Sequence, residues 1–281
     1  MVDNLSVGRR DAVDGKCEVV VADITDAAAM KKVFCDFRPE TVIHTAAQVM
    51  IRRSFEDPIF DATVNIIGTI SVLEACEVVG TVKQFIYTAT GGARYGIPKT
   101  LPVPESAVVE PVAPYGVSKH SAEHYVSAYA SMLGFDALIL CFGNVYGPGD
   151  DPKTKRVIAL IVDGLLRDDP FVIFGDGEQT RDFLYVEDIA SVVSMVVGRR
   201  FPHTLYNLAS GTKTSVNTIY SLIAKGLHSG REAKHGPMVP NEVRDIQLDI
   251  TLARKELHFT PTPIEQGIRK TVEWFLKNYQ K

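Results

Sequence analysis

The chain has 281 residues, 46% of them hydrophobic and 23% charged, with a net charge of −4 and a pI near 6.0. This is ordinary globular composition, with length enough for one large α/β domain or two smaller ones. Without a basic excess there is no electrostatic footing for nucleic acid or an anionic membrane, and no continuous apolar run approaches the roughly 18 residues of a spanning helix.

The start, Met1-Val-Asp-Asn-Leu-Ser6, has neither the basic nor the apolar segment of a signal peptide. Cys17, Cys35, Cys76 and Cys141 are widely spaced, with no CxxC and no Cys/His ligand pattern. Reduced thiols in a cytoplasmic protein without a metal are therefore expected.

Glu18-Val-Val-Val-Ala22 is a β-branched run predicting a strand, and Asp26 is placed to cap a helix reaching about Phe37. Thr41–His44 predicts a second buried strand, followed by small residues at Thr45-Ala-Ala47. One long helix is predicted over Asp57–Val79, a strand over Gln84–Thr88, a helix over Tyr115–Leu133 and a strand over Ala137–Cys141. Apolar strands alternating with amphipathic helices imply a doubly wound α/β fold, its parallel sheet covered on both faces. After Tyr146-Gly-Pro-Gly149 the rhythm loosens. Helices are predicted near 155–167, 187–199 and 216–228, strands at Phe171–Phe174 and Leu205–Leu208, a loop over His228–Arg244 and a last helix from Ile264 towards Tyr279. The back half reads as a smaller α/β lobe.

The chemical centre of the pattern is Ala113-Pro-Tyr-Gly-Val-Ser-Lys119. Tyr115 and Lys119 stand one helical turn apart, so phenol and ammonium share a face just after a helix-starting proline. A neighbouring cation lowers a phenol's pKa and makes it a usable proton acceptor. A bare Y-x-x-x-K also occurs on solvated helices; here other motifs accompany it.

Taken together, these motifs resemble the extended short-chain dehydrogenase/reductase family, in particular its nucleotide-sugar 4-epimerases of the UDP-glucose 4-epimerase type. The likeness runs along essentially the whole chain. Val2-Asp-Asn-Leu-Ser-Val-Gly8, Asp23-Ile24, His44-Thr-Ala-Ala-Gln48, Asn65, Thr88-Ala-Thr-Gly-Gly-Ala-Arg-Tyr-Gly96, Gly143-Asn-Val-Tyr-Gly-Pro148, Gly175-Asp-Gly-Glu-Gln-Thr-Arg-Asp-Phe183 and Glu242-Val-Arg244 carry it, in the family's order.

The resemblance implies a Rossmann-like NAD-binding domain over 1–150, lacking most of its first βαβ unit, and a nucleotide-sugar lobe over 151–281, with some exchange of elements. It implies NAD contacts from Asp3, Asn4, Leu5, Asp23, Ile24, Ala46, Ala47, Gln48, Asn65, Tyr115, Lys119 and Gly143. Tyr115 would take the proton of the sugar hydroxyl, Lys119 would lower its pKa and hold the nicotinamide ribose, and Thr90 would hydrogen-bond the same sugar oxygen. Thr88 is a rival to Thr90. Thr90, Asn144, Arg181 and Arg244 would hold the UDP-hexose, the arginines gripping its diphosphate. A homodimer through the helices near 57–79 and 115–133 is implied as well.

Within the family, Gly91-Gly92 follow Thr90 where the dehydratase branch carries an acid, which favours epimerase or reductase chemistry. Arg94 stands where an aliphatic residue is usual, and Cys141-Phe142 where Arg precedes an aromatic. The family's opening strand, Gly-rich turn and helix have no counterpart: no GxGxxG or GxxGxxG lies between a strand and a helix. About 30 residues of that unit lie outside this sequence, as a start assigned too late would produce, and the 281-residue chain is expected to bind NAD poorly and fold marginally. The alternatives are another nucleotide-sugar oxidoreductase (a 4-ketoreductase or dehydratase) and a non-catalytic relative that binds nucleotide sugar or a partner without NAD.

Overall fold

The structure, a computed structural model, describes residues 1–13, 15, 17–169, 171–238 and 243–278. They fall into two units: Met1–Gly96 with Val108–Cys141 and Val196–Tyr206, and Ile97–Ala107 with Phe142–Met195 and Asn207–Lys281.

The chain opens with β1 (Val2–Asp3), paired in parallel with β2 (Val20–Val21), so the strand predicted over Glu18–Ala22 shrinks to two residues. Helix α1 (Ala27–Phe37) starts where predicted: the Asp26 carboxylate accepts the Ala29 N–H at 3.0 Å. β3 (Thr41–His44) follows.

The single helix predicted over 57–79 is a correction. It is preceded by α2 (Ile51–Glu56) and consists of α3 (Pro58–Ala62), a π turn over Thr63–Ile67, and α4 (Gly68–Val79). Asp57 caps α3 by accepting the Phe60 N–H, and the Thr69 hydroxyl donates at 2.7 Å to the Asn65 carbonyl. A side chain bonding back to a carbonyl inside the ladder loosens that turn, which a hydrophobic pattern cannot register. Pro58–Val79 also corrects the reading of apolar runs. An 18-residue window in it has mean hydropathy 1.5, long and apolar enough to cross a bilayer. Half of that window is buried inside the protein, and α4 gives Val72, Leu73, Ala75, Cys76 and Val79 to a core. It is the pattern of a core helix.

β4 (Gln84–Thr90) runs into the one-turn α5 (Gly91–Arg94). Helix α6 (Pro114–Leu133) has proline in its first turn and ends on Gly134 at φ 77°, in the left-handed region. β5 (Asp136–Phe142) leads on to β6 (Asn144–Tyr146), α7 (Val157–Leu166), β7 (Val172–Phe174), β8 (Thr180–Tyr185), α8 (Val186–Val196), β9 (Leu205–Leu208), β10 (Lys213–Ser215), α9 (Val216–Gly226), β11 (Lys234–Gly236), α10 (Thr251–Glu256) and α11 (Ile264–Asn278). The loop predicted over His228–Arg244 holds β11, paired in parallel with β7; its residues 239–242, and Tyr279, lie outside the described residues.

One sheet has the order β3-β4-β5-β9, with β3 parallel to β4 from Thr41–Gln84 to His44–Tyr87. Among the described residues β1 and β2 form a ladder of their own, separate from it. In the second unit β8 lies between β10, antiparallel, and β6, parallel. The first core gathers Met30, Phe34, Leu73, Phe85, Tyr87, Val126 and Ile139; the second gathers Ile158, Ile161, Ile173, Phe183, Tyr185, Ile219 and Ile223. Each such side chain fully buried contributes about 1.5–3 kcal/mol, enough to fix the strand ends on which the site residues sit.

Candidate active site

Pro114 sets the first turn of α6, and Tyr115 stands directly after it. Tyr115 is half-buried; Lys119, one turn on, is 4% exposed. The Lys119 ammonium lies 4.2 Å from the centre of the Tyr87 ring and makes no hydrogen bond to the described residues. Burial pushes Lys119 down to about 7, while Cys141 and Asp61 draw it upward. An ammonium so desolvated, against the Tyr87 ring and with Cys141 and Asp61 acting on it, has donors to offer a ligand.

Thr90 ends β4 and caps α5, its hydroxyl oxygen accepting the Ala93 N–H at 3.3 Å. That uses a lone pair and leaves the proton to donate elsewhere. The Thr88 hydroxyl is committed differently, donating at 3.2 Å to the His44 carbonyl on β3. Helix α6 comes close under this turn: a Cβ at Gly116 would stand 2.5 Å from the Ala93 carbonyl oxygen. Arg94 is buried in an ion pair with Glu123 of α6, and His120 lies 2.8 Å from the same carboxylate.

Gln48 and Asn65 are buried and meet behind β3. The Gln48 N–H donates to Asn65 Oδ1 at 2.9 Å, and Asn65 Nδ2 donates back to the Gln48 carbonyl at 3.1 Å. Asp61, 1% exposed, accepts from Gln48 Nε2 at 2.6 Å, from the Ser118 hydroxyl at 2.5 Å and from Asn65 Nδ2 at 3.2 Å. His44, the last residue of β3, is 3.0 Å from the Thr69 hydroxyl. That hydroxyl already donates to Asn65, so His44 is the donor and carries its proton on Nε2. Burial, then Lys119, push His44 down to about 3, and it is neutral.

The NAD contacts predicted near the start of the chain are also brought together. Asp3 accepts the Leu5 N–H at 2.7 Å, and Asn4 donates to Asp23 at 2.7 Å. The Thr25 N–H and the Asn4 amide hold the Asp23 carboxyl below the usual range. Ile24 is different. Its side chain is buried, and a Cβ on Gly68 would come within 2.6 Å of it, so that side chain packs the core and does not face a ligand. Ala46 and Ala47 follow β3 as small, half-buried residues.

NAD is tested by these features. An unbonded buried ammonium suits ribose hydroxyls, and Asp3, Asn4 and Asp23 suit a second ribose and an adenine; the residues present fit the cofactor at both ends.

In the second unit, Asn144 begins β6, opposite Phe183. At Gly143 a Cβ would stand 2.5 Å from the Asp182 carbonyl oxygen, so glycine there permits close backbone packing. Arg181 on β8 donates to the Thr180 carbonyl at 2.8 Å and to the Arg244 carbonyl at 3.4 Å. The two predicted diphosphate ligands, 63 residues apart, are thus neighbours. Arg244 is exposed and forks onto Asp176 at 2.8 and 3.3 Å, its pKa raised and that of Asp176 lowered by the pairing. Glu242 of the same motif lies outside the described residues.

Asp61, Ser118 and Tyr87 were missed from sequence. The available signal was two polar residues, Asp61 and Asn65, one turn apart in an apolar helix, where burial without partners is costly.

The model of the NAD dependent epimerase/dehydratase family matches residues 1–209. The UDP-glucose 4-epimerase of Mycolicibacterium smegmatis is 35% identical over 99% of this chain and 91% of its own length. The solved UDP-glucose 4-epimerase of Thermotoga maritima, with UDP-glucose, superposes with a TM-score of 0.95 at 35% identity, covering 99% of this chain and 91% of that one. That of Thermus thermophilus, in complex with NAD, gives 0.92 at 30% identity, covering 99% and 90%. A dTDP-glucose 4,6-dehydratase of Salmonella typhimurium is 30% identical over 92% of this chain and 78% of its own length.

Proposed function

Because the chain belongs to the NAD dependent epimerase/dehydratase family, we propose that it is an NAD-dependent nucleotide-sugar 4-epimerase of the UDP-glucose/UDP-galactose type. The observation that carries this reading is the buried ammonium of Lys119 one turn after Tyr115, in a chain whose relatives at this identity are epimerases.

NAD, when bound, supplies the hydride acceptor for C4 of the sugar and the donor that returns the hydride to the opposite face. Tyr115 takes the C4 hydroxyl proton and gives it back to the product. Lys119 favours the phenolate and offers its unspent donors to the nicotinamide ribose. Thr90 donates to the reacting oxygen with the proton that its capping bond leaves available; the Thr88 proton is already spent on His44. Asp3, Asn4, Asp23, Ala46, Ala47, Gln48, Asn65 and Gly143, with the backbones of Leu5 and Ile24, complete the cofactor contacts. Asn144, Arg181 and Arg244 hold the nucleotide sugar, Arg244 exchanging Asp176 for phosphate oxygens. In this assignment most of the NAD contacts come from the first unit and most of the UDP-hexose contacts from the second. Gly91-Gly92 after Thr90 leave no acid to expel a hydroxyl, which favours epimerisation over dehydration.

The proposal includes a homodimer. Phe55, Ile59, Ile67 and Val117 are 60%, 78%, 53% and 48% exposed along α2, α3, the π turn and α6, beside a groove of about 430 Å³ between Pro58 and Ser118. It also includes a cytoplasmic location, supported by four free thiols.

The test is to measure bound NAD in the purified protein and its interconversion of UDP-glucose and UDP-galactose. Bound NAD with interconversion and no net NADH is the result that supports the epimerase reading. Net consumption of NAD(P)H would make it a 4-ketoreductase, and UDP-sugar binding without NAD or turnover a non-catalytic binder.

A further inference from the structure

Asp61 is a buried carboxylate with three hydrogen-bond donors and no hydrogen bond to a cation among the described residues. Its donors come from three separate segments: Gln48 after β3, Asn65 in the π turn, and Ser118, between Tyr115 and Lys119 on α6. Ser118 has one hydroxyl proton. At 2.5 Å it points to Asp61, while the Tyr115 carbonyl at 3.1 Å is the longer alternative. The carboxylate therefore sets which way Ser118 donates, and with it the tie between α3 and the first turn of α6.

We propose that Asp61 is a positioning residue for the Tyr115–Lys119 pair: through Ser118, Gln48 and Asn65 it locks the start of α6 to α3 and the loop after β3. The groups that face or act on the Lys119 ammonium are Tyr87 on β4, Cys141 on β5, His44 on β3 and Asp61 on α3. His44 is neutral, so Asp61 is the carboxylate of this set. Lys119 already sits near 7 through burial, and Asp61 is one of two groups that raise it. Without that carboxylate Lys119 would lose its proton at a lower pH, and Tyr115 its cation.

This role rests on the proposed use of Tyr115 and Lys119, and its test has a readout that needs no substrate. Asp61→Asn keeps the shape and can re-form the hydrogen bonds with Ser118 reversed, so it removes charge and little else. Two measurements are made on wild type and Asp61→Asn: urea stability against pH, and the pH profiles of kcat and KM for UDP-glucose.

Wild-type stability should climb as pH rises above about 7, where folded Lys119 releases a proton that the unfolded chain keeps. In Asp61→Asn the climb should begin about one pH unit lower, by the loss of a nearby opposite charge. The alkaline limb of kcat should shift the same way, and kcat near pH 8 should fall about tenfold with KM unchanged. Unshifted stability and kcat profiles would overturn the proposal. Shifted stability in a protein inactive even as wild type would uphold the electrostatic role and sink the epimerase reading instead. If Asp61→Asn does not fold, Asp61→Asn combined with Lys119→Met decides. Recovery of folding means Asp61 was countering Lys119; no recovery means the carboxylate is a structural brace alone.

Discussion

Asn65 and Gln48, 17 residues apart, exchange two hydrogen bonds, the side chain of one with the backbone of the other at 2.9 and 3.1 Å. An asparagine here acts as a short piece of β-strand, giving the loop after β3 the donor and acceptor that a neighbouring strand would give. Asn65→Ala should strand the buried Gln48 N–H and carbonyl and cost about 1–3 kcal/mol, read by urea denaturation. Asn65→Asp should cost more, because a carboxylate cannot donate to the Gln48 carbonyl and would stand against Asp61.

Tyr115→Phe should leave the melting temperature and any bound NAD unchanged and lower kcat by about 10²–10⁴, the usual range for a lost proton acceptor. The two threonines separate cleanly. Thr90→Val should lower kcat, whereas Thr88→Val, losing only its bond to the His44 carbonyl, should lower stability alone. A larger kcat loss in Thr88→Val than in Thr90→Val would exchange their roles.

His44 and Lys119 shape how stability responds to pH in two separate windows, His120 sharing the lower one. His44 is held neutral down to about 3, against an ordinary 6.5. Between those values the unfolded chain binds a proton that the folded chain refuses, so stability should drop progressively as pH falls from 6.5 towards 3. Lys119 has the same sign in another window: stability should rise from about 7 to its ordinary 10.5. Lys119→Met should flatten the upper window and leave the lower one intact. A flat profile in wild type below pH 6.5 would mean that His44 is charged in the fold.

Arg244 and Asp176 form an exposed pair, and such pairs contribute about 0–1 kcal/mol. Arg244→Ala should therefore leave stability near wild type and raise KM for the UDP-sugar about tenfold, the loss expected for one charge-assisted phosphate contact. Asp176→Asn should lower KM or leave it unchanged, since it frees the guanidinium. A raised KM in Asp176→Asn would show that the carboxylate orients Arg244 for the phosphate.

What could be read in advance follows the range of the interactions. The Asp26 cap, the proline-started α6, the strand over Thr41–His44 and the strand predicted over Gln84–Thr88, which runs on to Thr90, depend on near neighbours, and each was legible. The pairing of β8 with both β6 and β10 joins distant segments and left no local mark. In the site, Tyr115 and Lys119 were visible from spacing, and the remaining residues from family likeness. Asp61 and Ser118 were not, because a buried carboxylate is understood only once Gln48, Asn65 and Ser118 are seen around it. Arg94, an oddity in the sequence, has a physical account in its buried pair with Glu123.

The π turn at Thr63–Ile67 makes this helix a ruler with one extra division. The residues before it bring Asp61 to the polar cluster, and those after it supply core side chains. Each residue removed or added within the turn rotates one half against the other by about 100°. A single deletion there could give a more regular helix and still swing Asp61 away from Gln48 and Ser118. Apolar positions of the segment can change in kind, but its length cannot change at all. Among homologues, insertions and deletions should therefore stop short of this stretch even where its sequence drifts.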